Sequence, residues 1–171
     1  MKKILLACLF IVNIAFAQSE KTVSQKIPLV ELKNLVGQNV KTSTFSNDGK
    51  PFIIDFWATW CKPCIEELNA INEVYADWQK ETGVKVITIA LDDARTMSRV
   101  APFINGRQWK FESYIDPNGD FKRAMNVNMP PQTFVVDGSG NIVWQHVGFA
   151  EGNEDELIEV VKKVIAGKSV N

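Results

Sequence analysis

Cys61 and Cys64 stand two residues apart in the stretch Trp57-Ala58-Thr59-Trp60-Cys61-Lys62-Pro63-Cys64. Two thiols at this spacing can open and close a disulfide by exchange with a partner. The apolar run Pro51 to Trp57 leads straight into the pair, and a helical pattern begins within it. Cys61 is therefore expected at a helix N-terminus, among backbone N–H groups that have no intrahelical partner. Those groups and the helix dipole favour a thiolate. A free thiol of pKa ~8.5 is roughly 3% ionised at pH 7, and helix-start CxxC sites lower that pKa to roughly 3.5–7.5. Lys62 adds a neighbouring cation. Pro63 suits the first helical turn, where its missing N–H would have been unpaired, and it stiffens the ring between the sulfurs. The spacing divides the work. Cys61, at the exposed edge, attacks a partner disulfide, and Cys64, one turn inward, resolves the mixed disulfide. In reverse, the same pair donates a disulfide.

Other uses of the two cysteines fit less well. A structural disulfide closing so small a loop would add only about 2 kcal/mol on loop-entropy grounds. A structural zinc site takes four ligands, and the mature chain offers two cysteines and one histidine, His146; no metal is expected. Haem attachment needs CxxCH, and Ile65 follows Cys64. Two acids lie near the pair in sequence. Asp55 sits inside the strand-like run PFIIDFW, where a carboxylate is costly unless it is paired or protonated. It reads either as a proton relay for Cys64 or as a hydrogen-bonded structural residue. Glu67, three residues after Cys64, shares a helix face with it and reads as a second relay candidate or as a first-turn acid favoured by the dipole. Trp57 is read as packing. Trp60 reads equally as packing or as an exposed docking residue. His146 follows an apolar strand far along the chain and is read as structural.

The elements that must hold these groups can be traced along the chain. Its 171 residues, 46% hydrophobic and 23% charged, suffice for one domain with a core. The formal net charge is −1 and no basic stripe occurs, so nucleic acid is not an expected partner. Lys2 and Lys3 precede the apolar run Ile4 to Phe16, and Ala15-Phe16-Ala17 reads as a cleavage site, so residues 1–17 are expected to be a cleaved signal peptide carrying Cys8. An uncleaved anchor and lipidation at Cys8 are the alternatives. Residues 18–27 form a polar, flexible leader, and 28–171 the folded domain. Pro28 to Val40 reads as a short strand or hairpin edge, and Val84 to Leu91 as a second buried strand. Weak helix follows at Met97 to Ile104, a short strand at Phe111 to Ile115, and a turn with a short helix up to Met125. Thr133 to Val136 and Ile142 to His146 form a hairpin around a Gly-rich turn. A last helix is expected to be capped by Asn153, with Leu157, Val160, Val161, Val164 and Ile165 as its buried stripe. The order implies an α/β fold: a central mixed β-sheet with helices on both faces.

FWATWCKPC followed by IEEL resembles the TlpA/ResA-like branch of the thioredoxin superfamily. The resemblance runs from about Pro28 to Ala166 and includes Pro130-Pro131-Gln132-Thr133-Phe134 and the Asp137–Asn141 turn. It implies a thioredoxin-like fold with an N-terminal β extension and an insertion, Asp92 to Met125, between the second βα unit and the cis-proline strand. It also implies a cis-proline facing the cysteines and helping to hold the substrate. Pro131 is the matching position, although the Pro130-Pro131 step leaves two candidates. Asp55 resembles the buried aspartate of thioredoxin, and Glu67 the buried glutamate of the ResA-like branch. The implied activity is extracytoplasmic thiol–disulfide exchange by a monomer on protein thiols and disulfides. Reduction is the expected direction, for example of apocytochrome c or misoxidised secreted proteins, with a membrane-embedded electron donor and no cofactor. A peroxidase lacks its signature here, since Trp57 and its neighbours replace the Pro and Thr such enzymes carry before the cysteine. A non-catalytic binding module would not need the intact CxxC, Pro131 and both acids.

Overall fold

In the computed structural model, which describes residues 25–170, the apolar run before the cysteines is strand β3 (Phe52–Trp57), and every residue of it is buried. A strand covered on both faces has no solvent side, so its sequence shows no alternation. β3 pairs in parallel with β4 (Lys85–Ala90) and antiparallel with β6 (Gln132–Val136). β4 pairs in parallel with β5 (Glu112–Ile115). A hairpin of β1 (Glu31–Asn34) and β2 (Asn39–Lys41) adds to β5, and β7 (Ile142–Val147) closes the opposite edge. The strand order is β2-β1-β5-β4-β3-β6-β7.

Alternate residues of β3 divide the core into two layers. Ile53 and Trp57 pack with α1 (Lys62–Thr82), α2 (Val100–Arg107) and α4 (Asn153–Ile165) through Leu68, Ile104 and Val161. Phe52, Ile54 and Phe56 pack on the other face with α3 (Asp120–Ala124) through Phe121. This is the thioredoxin-like mixed sheet with helices on both faces. Trp57 is packing, as read: its ring lies 5.0 Å from Trp109 and 5.6 Å from Phe103. Gly83, at φ 69°, ends α1 because only a residue without Cβ reaches that left-handed conformation cheaply.

Two expectations need correction, one in the leader and one at the start of α4. The expected signal segment 1–17 and residues 18–24 of the leader lie outside the described residues, but Gln25 to Ile27, assigned to the flexible leader, are tied to the sheet. Lys26 bridges to Asn141, Ile27 N–H donates to Gly140 O, and Ile142 N–H donates to Gln25 O. The short strand expected within the Asp92–Met125 insertion is β5, on which the β1–β2 hairpin rests. Asn153 does not cap α4. It is the first helical residue, Gly152 stands before it, and Asn153 Oδ1 accepts from Ala150 N–H. The expected Leu157, Val160 and Val161 are buried and Val164 packs on the core, with Ile158 buried beside them and Ile165 exposed.

The turn between β6 and β7 presses on the turn before β3. A Cβ on Gly138 would lie 1.9 Å from Gly49 O, whereas one on Gly106 in α2 would meet nothing within 4 Å. Gly138→Ala is expected to destabilise by about 1–3 kcal/mol through overpacking. Gly106→Ala is expected to be neutral or stabilising by up to about 1 kcal/mol, since Ala favours helix. Urea unfolding of both variants checks the opposite signs; equal shifts would contradict the close approach.

Candidate active site

α1 starts at Lys62, and Cys61 is its N-cap. The Cys61 side chain takes the place a Ser or Asp oxygen takes in an ordinary cap: Cys64 N–H donates to Cys61 Sγ at 3.4 Å. A sulfur held there meets the unpaired N–H groups and the positive end of the helix dipole. The two cysteines are joined in a disulfide, with their Cα atoms 5.3 Å apart. Cys61 is 6% exposed and Cys64 0%, so an incoming sulfur meets Cys61 first. Pro63 occupies the first turn, as its chemistry allows. Lys62 points outward and pairs with Glu66 at 3.4 Å, both exposed, so its charge is shared and solvent-screened.

The loop that delivers Cys61 is pinned by a residue the sequence reading passed over. Asp92, fully buried just beyond β4, accepts from Thr59 N–H at 2.8 Å and from Thr59 Oγ1–H at 2.5 Å. The signal for it was an acid directly after a buried parallel strand, at the sheet end where functional groups gather. Pro131 is buried and follows a cis peptide bond from Pro130, which decides between the two candidates. Phe56 pairs with Gln132 in the β3–β6 ladder, so Pro131 falls at the Trp57 end of β3, where the cysteine loop begins. Gly148 N–H fixes it by donating to Pro131 O at 2.8 Å. Trp60, 62% exposed, stands on the surface next to Cys61, which favours the docking reading over packing.

Asp55 and Glu67 meet behind the disulfide. Because α1 starts at Lys62, Glu67 lies in the second turn, and the first turn carries no acid; the dipole reading of Glu67 fails. Its side chain turns inward, one helical turn beyond Cys64 on the same buried face. Thr133 joins the two acids, its Oγ1 lying 2.9 Å from Asp55 Oδ2 and 2.9 Å from Glu67 Oε1. Thr133 was not foreseen, because only the β3–β6 register, Asp55 opposite Thr133, brings it there. A hydroxyl has one proton to give, so it donates to one acid and accepts from the other acid's O–H. Burial raises the Asp55 carboxyl to about 7, and burial together with the Asp55 charge raises Glu67 higher still. Both carboxyls are thus pushed well above the ordinary carboxylate range, and the pair keeps a proton at Thr133 Oγ1. His146 also belongs to this neighbourhood: it pairs with Thr133 in the β6–β7 ladder and stacks on Trp144 at 5.8 Å. Its distance along the chain concealed that.

A carboxyl that holds its proton more tightly in the fold than in the unfolded chain adds stability below the ordinary carboxylate range. That stability is lost as pH rises through the folded-state value. Stability of the native protein is therefore expected to fall as pH rises from about 4 through 7 and beyond. Asp55→Asn and Glu67→Gln should flatten the profile, so each variant gains on the native protein at alkaline pH. Melting temperatures across pH 4–10 check this, and parallel profiles in all three would contradict it.

The chain matches the AhpC/TSA family over residues 23–145. It is 32% identical over 150 residues to the thiol–disulfide oxidoreductase ResA of Bacillus cereus, covering 87% of this chain and 83% of that one. The fold superposes on the solution structure of a thioredoxin-like protein from Porphyromonas gingivalis with a TM-score of 0.73 and 51% identity, over 82% of this chain and 92% of the other. A crystal structure from Chlorobium tepidum, described as a thiol:disulfide interchange protein DsbE, gives a TM-score of 0.68 at 27% identity, over 84% and 95%. On that coverage and identity the chain belongs to the AhpC/TSA family, among its ResA-like thiol–disulfide oxidoreductases.

Proposed function

We propose that the protein works outside the cytoplasm as a reductant of disulfides in other proteins. Cys61 is the attacking sulfur, Cys64 the resolving one, and Asp55 with Glu67 handles the Cys64 proton. The observation that carries this is the placement of Cys61 Sγ at the N-cap of α1, accepting the Cys64 N–H, with a protonatable acid pair behind Cys64. The first favours the thiolate needed for attack. The second supplies a base for the step that follows. Export is supported by the Lys2-Lys3 start and the apolar stretch Ile4 to Phe16. In that setting the protein works as a monomer, its pair is re-reduced by a membrane-embedded donor, and its clients are oxidised apocytochrome c or misoxidised secreted proteins.

The docking rim is apolar. Trp60, Met129 and Val147 are all exposed. Met129 precedes Pro130 and Pro131, and Val147 pairs with Gln132 just after them. A client segment can lie against this rim with its backbone along Pro131 and its disulfide at Cys61 Sγ.

Insulin-disulfide reduction by the mature protein with a dithiol donor is the expected activity. Cys61→Ser should abolish it, while Cys64→Ser should hold the client as a stable mixed disulfide on Cys61, seen as a dithiothreitol-sensitive adduct by mass spectrometry. Full activity in Cys61→Ser would contradict the assignment. Peroxide consumption without insulin reduction would point instead to a peroxidase.

A further inference from the structure

One row of polar side chains crosses the sheet. Ser113 on β5, Thr88 on β4, Asp55 on β3, Thr133 on β6 and His146 on β7 are successive partners in the ladders. Such neighbours stand on adjacent strands about 4.7–4.9 Å apart. Asp55, Thr88 and Thr133 are buried, while His146 is partly open to solvent at the sheet edge. At the His146 end of the row lies a cavity of about 10 Å³, lined by Glu67, Thr133, His146, Asn153, Glu154 and Glu156 among others. One water needs about that room and 2–4 polar partners. Glu67 reaches this cavity from α1. Its Oε1 is held by Thr133, and its Oε2 has no hydrogen-bond partner although it is buried.

We propose that this cavity is the proton exit of the acid pair, with one water between Glu67 and His146 and with His146 as the relay residue to solvent. The proposal rests on the exchange reaction set out above. When Cys64 resolves a mixed disulfide, its S–H bond breaks and a bond forms between Cys64 Sγ and Cys61 Sγ. The bond from Cys61 to the client sulfur breaks, and that sulfur leaves as a thiolate with the electron pair. The Cys64 proton passes to the acid pair and must leave before the next cycle. On the disulfide side a docked client covers the exit. On the opposite side the route is short: Glu67, the cavity water, His146, solvent. An imidazole accepts a proton on one nitrogen and releases one from the other near neutral pH. Glu154 and Glu156, facing the cavity from α4, are further acceptors at its outer end, and Asp55 faces it through Thr133. The same path runs backward when the disulfide is reduced and Cys64 regains its proton.

The test is repeated turnover of insulin-disulfide reduction with dithiothreitol as donor at low buffer concentration. His146→Ala and His146→Gln are both expected to slow steady turnover about tenfold or more, on the scale of a lost proton-transfer group. Glutamine can hold a water but cannot carry a proton through it. Added imidazole should restore the rate of His146→Ala, a response that a merely structural residue would not show. Alkylation of Cys61 by iodoacetamide should be unchanged in both variants. Wild-type rates in both variants at low buffer, or a slow His146→Ala that imidazole does not rescue, would overturn the relay and leave the exchange function standing. Absence of exchange in the wild-type protein would instead overturn the function on which the relay rests.

Discussion

Two carboxyl groups packed between a sheet and a helix cannot both be charged without water or cations to solvate them. Asp55 and Glu67 meet this constraint through one hydroxyl, Thr133 Oγ1, which contacts both. The arrangement works only if a proton is kept, and that requirement binds three elements together. β3 must run buried to its end, β6 must lie antiparallel to it with Thr133 opposite Asp55, and α1 must enter at the turn that points Glu67 inward. A shift of one residue in the β3–β6 register would turn Thr133 to the opposite face.

The same helix entry sets up the sulfur chemistry. Cys61 is both the N-cap of α1 and the more accessible of the two cysteines. Its cap hydrogen bond and its reactivity therefore come from one geometry. Asp92 holds the preceding loop through Thr59, so the cap does not depend on the disulfide alone for its position. Cys64 faces inward on the helix side shared with Glu67. One turn of helix separates the inner cysteine from the acid that meets Asp55 at Thr133.

The cysteine pair, its strand-to-helix setting and both acids were legible in local pattern, and the cis-proline position in the family resemblance. PFIIDFW announces a buried strand, a carboxylate within it demands compensation, and Gly83 marks the end of α1. Thr133, Asp92 and the placement of His146 were not legible. Asp92 and Thr133 act between residues 33 and 78 positions apart, and His146 comes to the site through its register with Thr133; no local pattern encodes such partners. The reading of Glu67 as a first-turn acid failed because the helix begins within the CxxC motif itself; Pro63 opens a helix at N1 or N2 without loss of a hydrogen bond. The cap of α4 was misjudged because Asn153 turned its side chain to Ala150 N–H rather than to its own helix.

The most direct probe of the acid pair is a carbon NMR titration of the Asp55 and Glu67 side-chain carboxyls, in the reduced and the disulfide forms, with Thr133→Val as a comparison. A proton held between the two acids predicts that the pair still binds a proton near neutral pH, with both carboxyls raised above the ordinary range, and that Thr133→Val moves both curves. Two carboxyls each titrating near the ordinary value of about 4, with no response to Thr133→Val, would contradict it.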